Sequence, residues 1–146
     1  MNIKGILTLA LIAVLMLAGC GGGTSGSSTT QPKDTSPTVT QSWHTVTNLT
    51  GSEGRNTDTF SIKGSKWRFS WSATVEQDEW TTGGSIYIFA YPEGKAEGEY
   101  VAVVTAPEIT TSKSDTSYVY EGPGVYYFNI MAASLASWTI TVEGYY

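Results

Sequence analysis

The chain has 146 residues, with 13 acidic and eight basic side chains and a net charge of −5 at pH 7. Because no basic stripe offsets this acidic balance, a phosphate backbone is excluded as a partner, and we expect no nucleic acid to bind. A single cysteine and a single histidine are too few for a zinc site, which needs several such ligands.

The amino-terminal residues have the layout of an export signal. Lys4 supplies a positive charge, and the run from Ile6 to Leu17 is apolar except for Thr8. This run is well short of the roughly 20 apolar residues that a membrane-spanning helix needs. We therefore predict that residues 1–19 are a cleaved signal peptide, with a spanning anchor as the alternative.

The apolar run ends in the tetrapeptide Leu17-Ala18-Gly19-Cys20, which resembles the lipobox of bacterial lipoproteins. In that family a diacylglycerol is attached to the cysteine sulfur, and the leader is cut just before it. The resemblance implies that Cys20 is lipidated and that the lipid bilayer is a partner through the acyl chains alone. It also implies that the mature protein lies in the cell envelope, on the exported side. The alternative is an ordinary secretory peptide with an incidental thiol.

Residues 20–41 are predicted to form a flexible linker that starts at the lipidated cysteine. They are rich in Gly, Ser, Thr and Pro and contain one large aliphatic residue, Val39. About 20 such residues have an r.m.s. span of roughly 25 Å. Gly21 and Gly22 lack the aspartate that favours inner-membrane retention in lipoproteins, so the resemblance implies an outer membrane or outer surface if the host has two membranes.

Residues 42–146 form the predicted folded domain, because all five Trp, nine Tyr and four Phe residues lie within it. The segment 67–75 has apolar residues at odd positions and polar ones at even positions, which is the period of a strand with one buried face. The segment 138–143 alternates in the same way. No segment has a sustained helical repeat, and a helical turn is expected only within 131–137.

Turn residues divide the domain into seven or eight short strands, and Pro107 is expected to end one of them. The segment 58–62 is predicted to be the hairpin partner of 67–75. The segment 43–49 has a mixed pattern, which leaves its register open. The segment 85–91 is apolar on both faces, which indicates either a strand covered on each side or a strand with one aromatic-rich face. The predicted strands are 43–49, 58–62, 67–75, 85–91, 100–106, 117–120, 125–131 and 138–143. Together they predict an all-β fold, a single antiparallel β-sandwich or jelly roll.

The end of the chain carries a second resemblance. Pro-Gly-Val-Tyr-Tyr-Phe-Asn-Ile at 123–130 and Trp-Thr-Ile-Thr-Val at 138–142 are similar to the closing hairpin of small bacterial sandwich domains of the prepeptidase C-terminal kind. Those modules are accessory domains of exported proteins. The resemblance implies a β-sandwich with an accessory role, and fold alone does not indicate an activity.

The sequence contains few features that indicate catalysis. His44 is the only histidine, and an ordinary surface position is the simplest account of it. No Gly-x-Ser-x-Gly turn presents a nucleophile, and no Gly-x-x-x-x-Gly-Lys-[Ser/Thr] loop is present to bind phosphate. We therefore expect a protein that is not an enzyme.

Clustered carboxylates provide the remaining enzymatic alternative, a glycosidase that uses two acids. Its candidate residues are Glu76, Asp78 and Glu79 with Asp58 or Glu53. Ca²⁺ prefers oxygen ligands, and its candidate ligands are Glu76, Asp78 and Glu79. Because no Asp-x-Asp-x-Asp-Gly loop accompanies them, we expect no cofactor, with Ca²⁺ as the alternative.

Two functions from different classes remain. The first is an exported lipoprotein whose sandwich has a structural or accessory role and whose aromatic residues mostly fill the core. The alternative is a surface binding module for a cell-envelope carbohydrate or a protein partner. In that case Trp80, Tyr91, Tyr145 or Tyr146 is exposed to stack on a sugar or anchor the partner.

Overall fold

The computed structural model describes residues 40–146. The predicted signal peptide, Cys20 and most of the predicted linker lie outside the described residues. Between residues 40 and 146 every regular element is a β-strand. The same range contains no helix that is long and apolar enough to cross a membrane.

Nine strands form two antiparallel sheets that pack face to face. The strands are β1 (Trp43–Gly51), β2 (Arg55–Asn56), β3 (Phe60–Ile62), β4 (Lys66–Val75), β5 (Gly84–Pro92), β6 (Ala102–Ile109), β7 (Ser112–Val119), β8 (Gly124–Ala133) and β9 (Leu135–Tyr145). The first sheet has the order β1-β9-β4-β7, and the second has the order β2-β8-β5-β6, with β3 also paired to β8. The all-β sandwich prediction is therefore confirmed.

The strand order is that of a jelly roll. The strands β2 and β3 pair with successive parts of the same edge of β8, so together they fill one of eight strand positions. With β2 and β3 counted as one position, the chain alternates between the two sheets except at β5 and β6, which are neighbours in the second sheet. This crossing between sheets joins the two layers through their connections as well as through their core.

Alternation along the strands sends one set of side chains into the core, as predicted. In β4 the odd-numbered residues 67–75 are buried, and in β9 Trp138, Ile140 and Val142 are buried. Phe60 and Ile62 of β3 also point inward. The mixed pattern of β1 has a cause in the structure, because its register on β9 shifts between Thr45 and Thr47.

The predicted partner of segment 58–62 is wrong. The strand β3 pairs with β8 in the second sheet, opposite Tyr126, and not with β4. A short connection at 63–65 predicts a hairpin when only local sequence is considered. Here the connection instead crosses from one sheet to the other, so that Phe60 and Trp67 meet across the core with ring centroids 5.6 Å apart.

Pro107 does not end its strand, which continues to Ile109. The register of β6 on β5 shifts between the pairs Ile86↔Ala106 and Gly84↔Ile109, so Pro107 lies in an irregularity of the ladder. The strand is also at the edge of its sheet. Proline is tolerated at such a position because no neighbouring strand requires its missing N–H.

Two other sequence expectations differ from the structure. The strand that was expected at 117–120 begins at Ser112, because β7 is an edge strand with mostly exposed polar side chains and gives no apolar signal. The segment 131–137 forms no helical turn. It contains the tight turn between β8 and β9, where Ser134 has a φ of 55°.

Aromatic side chains dominate the centre of the core. Trp67 is fully buried, and its ring centroid lies 5.1 Å from that of Tyr126, 5.9 Å from that of Phe69 and 6.2 Å from that of Phe128. Phe69 and Phe128, which come from opposite sheets, are 4.9 Å apart. Ring pairs at these distances stabilise the core beyond the effect of the area that they bury.

Two buried indoles are also hydrogen-bonded to the connections that cross the ends of the sandwich. Trp67 Nε1 donates to the carbonyl oxygen of Glu121 at 2.9 Å, and Trp138 Nε1 donates to that of Glu53 at 3.0 Å. Trp71 Nε1 is buried without an acceptor among the described residues. The three indoles therefore differ in hydrogen bonding although all are buried.

This difference predicts unequal effects of the same substitution. Trp67→Phe and Trp71→Phe remove the same atoms from the core, but only Trp67→Phe breaks a hydrogen bond, after which the Glu121 carbonyl keeps the Tyr126 hydroxyl as its donor. We expect Trp67→Phe to lower the free energy of unfolding by about 1 kcal/mol more than Trp71→Phe. Urea unfolding of the two variants measures this difference. An equal loss, or a larger loss for Trp71→Phe, contradicts the role given to the Glu121 contact.

Candidate functional site

The solvent face of the second sheet carries a groove lined by aromatic rings. Phe89 alternates along β5 with the buried residues Ile88 and Ala90, so its side chain points away from the core. The groove has a volume of about 440 Å³, within the range typical of small-molecule sites. We call it the aromatic groove, and it is lined by Asn56, Phe89, Tyr91, Glu97, Gly98, Tyr100, Tyr127, Asn129 and Met131.

Strand register brings residues from distant parts of the sequence into this groove. Asn56 of β2 pairs with Asn129 of β8, and Asn129 pairs in turn with Phe89 of β5. These three residues therefore form one row across neighbouring strands. Tyr127 and Tyr91 are paired two residues further along the same strands and form the next row on this face.

The aromatic rings hold one another in place. Tyr91 and Tyr127 are stacked, with centroids 5.5 Å apart and planes 18° apart. The ring of Tyr100 meets Phe89 edge-on at 5.6 Å and Tyr91 edge-on at 6.2 Å. Tyr91 is covered by these neighbours and is only 8% exposed, whereas Tyr100 is 43% exposed. Tyr91 therefore supports the other rings, and Tyr100 presents part of its surface to solvent.

Tyr100 reaches the sheet because the loop between β5 and β6 bends back on itself. Gly94 and Gly98 have φ values of 77° and 91°, in the left-handed region that favours glycine. Within the loop the Glu99 carboxylate accepts a hydrogen bond from Ala96 N at 3.1 Å and lies 3.4 Å from Lys95 Nζ. Both contacts lower the pKa of Glu99, and the hydrogen bond from Ala96 N–H has the larger effect.

A pair of amides supplies the polar part of the groove. Asn129 Nδ2 donates to Asn56 Oδ1 at 2.7 Å. This bond leaves the Asn129 carbonyl oxygen and the Asn56 amino group without a hydrogen-bond partner among the described residues. The groove thus combines apolar rings with an acceptor and a donor, and the Glu97 carboxylate adds a further acceptor.

The four aromatic residues expected to bind a ligand have different surroundings. Tyr91 lines the aromatic groove, but Trp80 is in the loop after β4 and is 87% exposed. Tyr145 is on the first sheet, 5.1 Å from Trp43. Tyr146 stacks on His44 with ring centroids 4.4 Å apart. The structure therefore does not gather these four residues into one site.

The first sheet carries a second aromatic cluster, which is interleaved with cations. Arg68 Cζ lies 4.4 Å from the ring centroid of Trp43, and Lys66 Nζ lies 4.0 Å from that of Tyr145. Arg68 Nε donates to Glu143 Oε2 at 2.6 Å, and this contact raises the pKa of Arg68. The rings and charges in this cluster already contact one another.

The candidate metal ligands and catalytic acids lie in exposed loops. Asp78 Oδ1 accepts hydrogen bonds from the backbone N–H groups of Trp80 at 2.8 Å and Thr81 at 2.6 Å. The pKa of Asp78 is lowered by hydrogen bonds to its carboxylate. The bond from the Thr81 side chain has the largest effect, followed by those from the N–H groups of Trp80 and Thr81. Glu76 and Glu79 are exposed. Among the described residues no group of three or more His, Cys, Asp or Glu side chains is placed to hold a metal ion.

Sequence reasoning missed most of the residues that line the groove. Its one signal was the segment 85–91, which is apolar on both faces, and the structure shows that its outer face is aromatic-rich. No local sequence pattern indicates that Asn56, Tyr100 or Asn129 belongs to a binding site. Comparison with known proteins adds nothing to this site, since neither a family model nor a curated protein matches the chain.

The position of Trp80 predicts a clear spectroscopic effect. Trp67, Trp71 and Trp138 are buried, Trp43 is half-buried and Trp80 is 87% exposed. Trp80 therefore contributes most of the tryptophan fluorescence that acrylamide quenches. We expect Trp80→Phe to shift the emission to shorter wavelength and to reduce the fraction quenched. The matched variant Trp71→Phe is expected to leave the quenched fraction nearly unchanged. Equal quenching of the Trp80→Phe variant and the parent contradicts this exposure.

Proposed function

We propose that this protein is an exported, lipid-anchored module that binds a saccharide in the aromatic groove. The observation that carries the proposal is the combination on one sheet face of the rings of Phe89, Tyr100 and Tyr127 with the Asn56–Asn129 pair. A sugar ring has an apolar C–H face and a hydroxyl edge. Aromatic rings match that face, and amide and carboxylate groups match that edge.

The exposed rings favour binding over a purely structural role. The core already holds Trp67, Trp71 and Trp138, and a sandwich with one solvated face normally places polar side chains there. Here Phe89, Tyr100 and other apolar side chains of the groove lie on the solvent side. Ligand sites combine aromatic side chains with polar groups that orient the ligand, and the groove contains both.

A saccharide fits the groove better than the aromatic cluster of the first sheet. In that cluster Arg68 is paired with Glu143 and also packs against Trp43. A ligand there must displace existing contacts, whereas the amide groups of the aromatic groove retain one donor and one acceptor. We propose no catalytic step.

The proposed location rests on the sequence of the first 41 residues. The lipobox-like tetrapeptide that ends in Cys20 supports lipidation, and two or more acyl chains hold a protein stably on a bilayer. The Gly- and Ser-rich linker then allows the folded domain to search for ligands near the membrane surface.

Substitution in the groove tests the binding site. We expect Tyr100→Ala to weaken binding to a neutral oligosaccharide by about tenfold or more, the size of an interface hot spot. Tyr120→Ala is the matched control, because Tyr120 is 76% exposed and does not line the groove. A panel of immobilised neutral oligosaccharides identifies the probe, and titration calorimetry with that probe compares the variants. Equal affinities for Tyr100→Ala, Tyr120→Ala and the parent contradict the proposal.

Substitution of the cysteine tests the anchor. We expect Cys20→Ser to abolish incorporation of labelled fatty acid into the protein in growing cells, because the thiol that carries the acyl chains is lost. Mass spectrometry of the parent protein should show an acylated Cys20 as the first residue. An unmodified thiol, or an uncut leader, contradicts the proposed anchor.

A further inference from the structure

We infer that the saccharide that binds in the aromatic groove is uncharged, and that Glu97 disfavours the uronic acid forms of the same sugars. This inference rests on the proposed function and specifies its ligand class. It follows from the charges in the groove, from the positions of the basic side chains and from the hydrogen-bonding groups that remain.

The groove contains one charged side chain. Glu97 is the one Asp or Glu among its lining residues, and no Lys, Arg or His lines it. The salt bridges among residues 40–146 join Lys95 to Glu99 and Arg68 to Glu143, and neither includes Glu97. A ligand in the groove therefore meets a negative charge that no described ion pair compensates.

Two basic residues are close in sequence to residues that line the groove, but both make contacts elsewhere. Arg55 is the strand neighbour of Asn56, but its guanidinium donates to the carbonyl oxygen of Thr50 at 2.9 Å and lies 5.2 Å from the ring centroid of Trp138. Lys95 is in the same loop as Glu97, but its ammonium lies 3.4 Å from the Glu99 carboxylate. Neither residue lines the groove.

The other basic residues of the described range belong to or border the first sheet. Lys66 and Lys113 are on β4 and β7, strands of that sheet, and so is Arg68. Lys63 Nζ lies 5.7 Å from the ring centroid of Tyr146, at the carboxyl end of the chain. A carboxylate on a ligand in the groove would lose water without gaining a cation, which is unfavourable.

The groove's polar groups match hydroxyl groups without further charge. The Asn129 carbonyl and the Glu97 carboxylate accept hydrogen bonds, and the Asn56 amino group donates one. A sugar hydroxyl does both. A neutral glycan can therefore satisfy these groups, while the rings of Phe89 and Tyr100 contact its apolar face.

Matched pairs of oligosaccharides test the inference on the full mature chain. Each pair has the same ring and linkage and differs at C6, as in β-1,4-linked mannohexaose and hexamannuronate, or cellohexaose and its C6-oxidised form. We expect the neutral member of a bound pair to bind at least about fivefold more tightly, the effect of a unit-charge repulsion at contact distance in a high dielectric. The difference should narrow when the ionic strength rises from 0.01 to 0.15 M, because the Debye length falls from about 30 Å to about 8 Å.

The Glu97→Gln variant assigns the discrimination to one side chain. Because glutamine keeps an acceptor and loses the charge, we expect Glu97→Gln to raise the affinity for the uronate relative to the affinity for the neutral glycan. Glu108→Gln is the control, since Glu108 does not line the groove.

The outcomes separate the two proposals. Equal or tighter binding of the uronates, or discrimination unchanged by Glu97→Gln, overturns this inference and leaves saccharide binding in place. If no neutral or charged member of the panel binds at millimolar concentration, the proposed function itself is contradicted.

Discussion

The buried aromatic layer between the two sheets is the interaction on which the rest of the structure depends. Trp67 and Phe69 from the first sheet meet Phe128 and Tyr126 from the second, with ring centroids 4.9 to 6.2 Å apart. The domain must be stabilised by such packing, since its described residues contain no cysteine and hence no disulfide. The indole of Trp67 also binds the connection before β8 through the Glu121 carbonyl, so the core fixes an end of the sandwich as well.

The same alternation that fills the core determines what the other face can present. In β5 the inward residues Ile86, Ile88 and Ala90 complete the core, and the outward positions are left for Phe89 and its aromatic neighbours. Phe89, Tyr91 and Tyr127 stand on the central strands of the sheet, and Tyr100 packs edge-on against the first two from the loop after β5. These rings would therefore lose little freedom on binding the proposed saccharide. Binding by a preorganised surface of this kind avoids part of the entropic cost of ordering loops.

Local pattern predicted the elements more successfully than their partners. The buried odd positions of 67–75 and the sandwich architecture could be predicted because one-sided burial leaves a period of two in the sequence. The pairing of β3 could not be predicted in this way, because a three-residue connection fits either a hairpin or a crossing between sheets. The groove was only partly predictable for the same reason, since Asn56, Tyr100 and Asn129 are brought together by strand order and a loop fold that no local period encodes.

The most direct test of the central claim is a map of ligand contacts on the folded domain. Two-dimensional NMR of the isotope-labelled protein, titrated with a neutral oligosaccharide that binds in the panel assay, reports the residues whose environment changes. We expect the largest shifts at Phe89, Tyr100 and Asn129, on the outer face of the second sheet. Shifts confined to the Trp80 loop, or to the Trp43 and Tyr145 cluster of the first sheet, would contradict it.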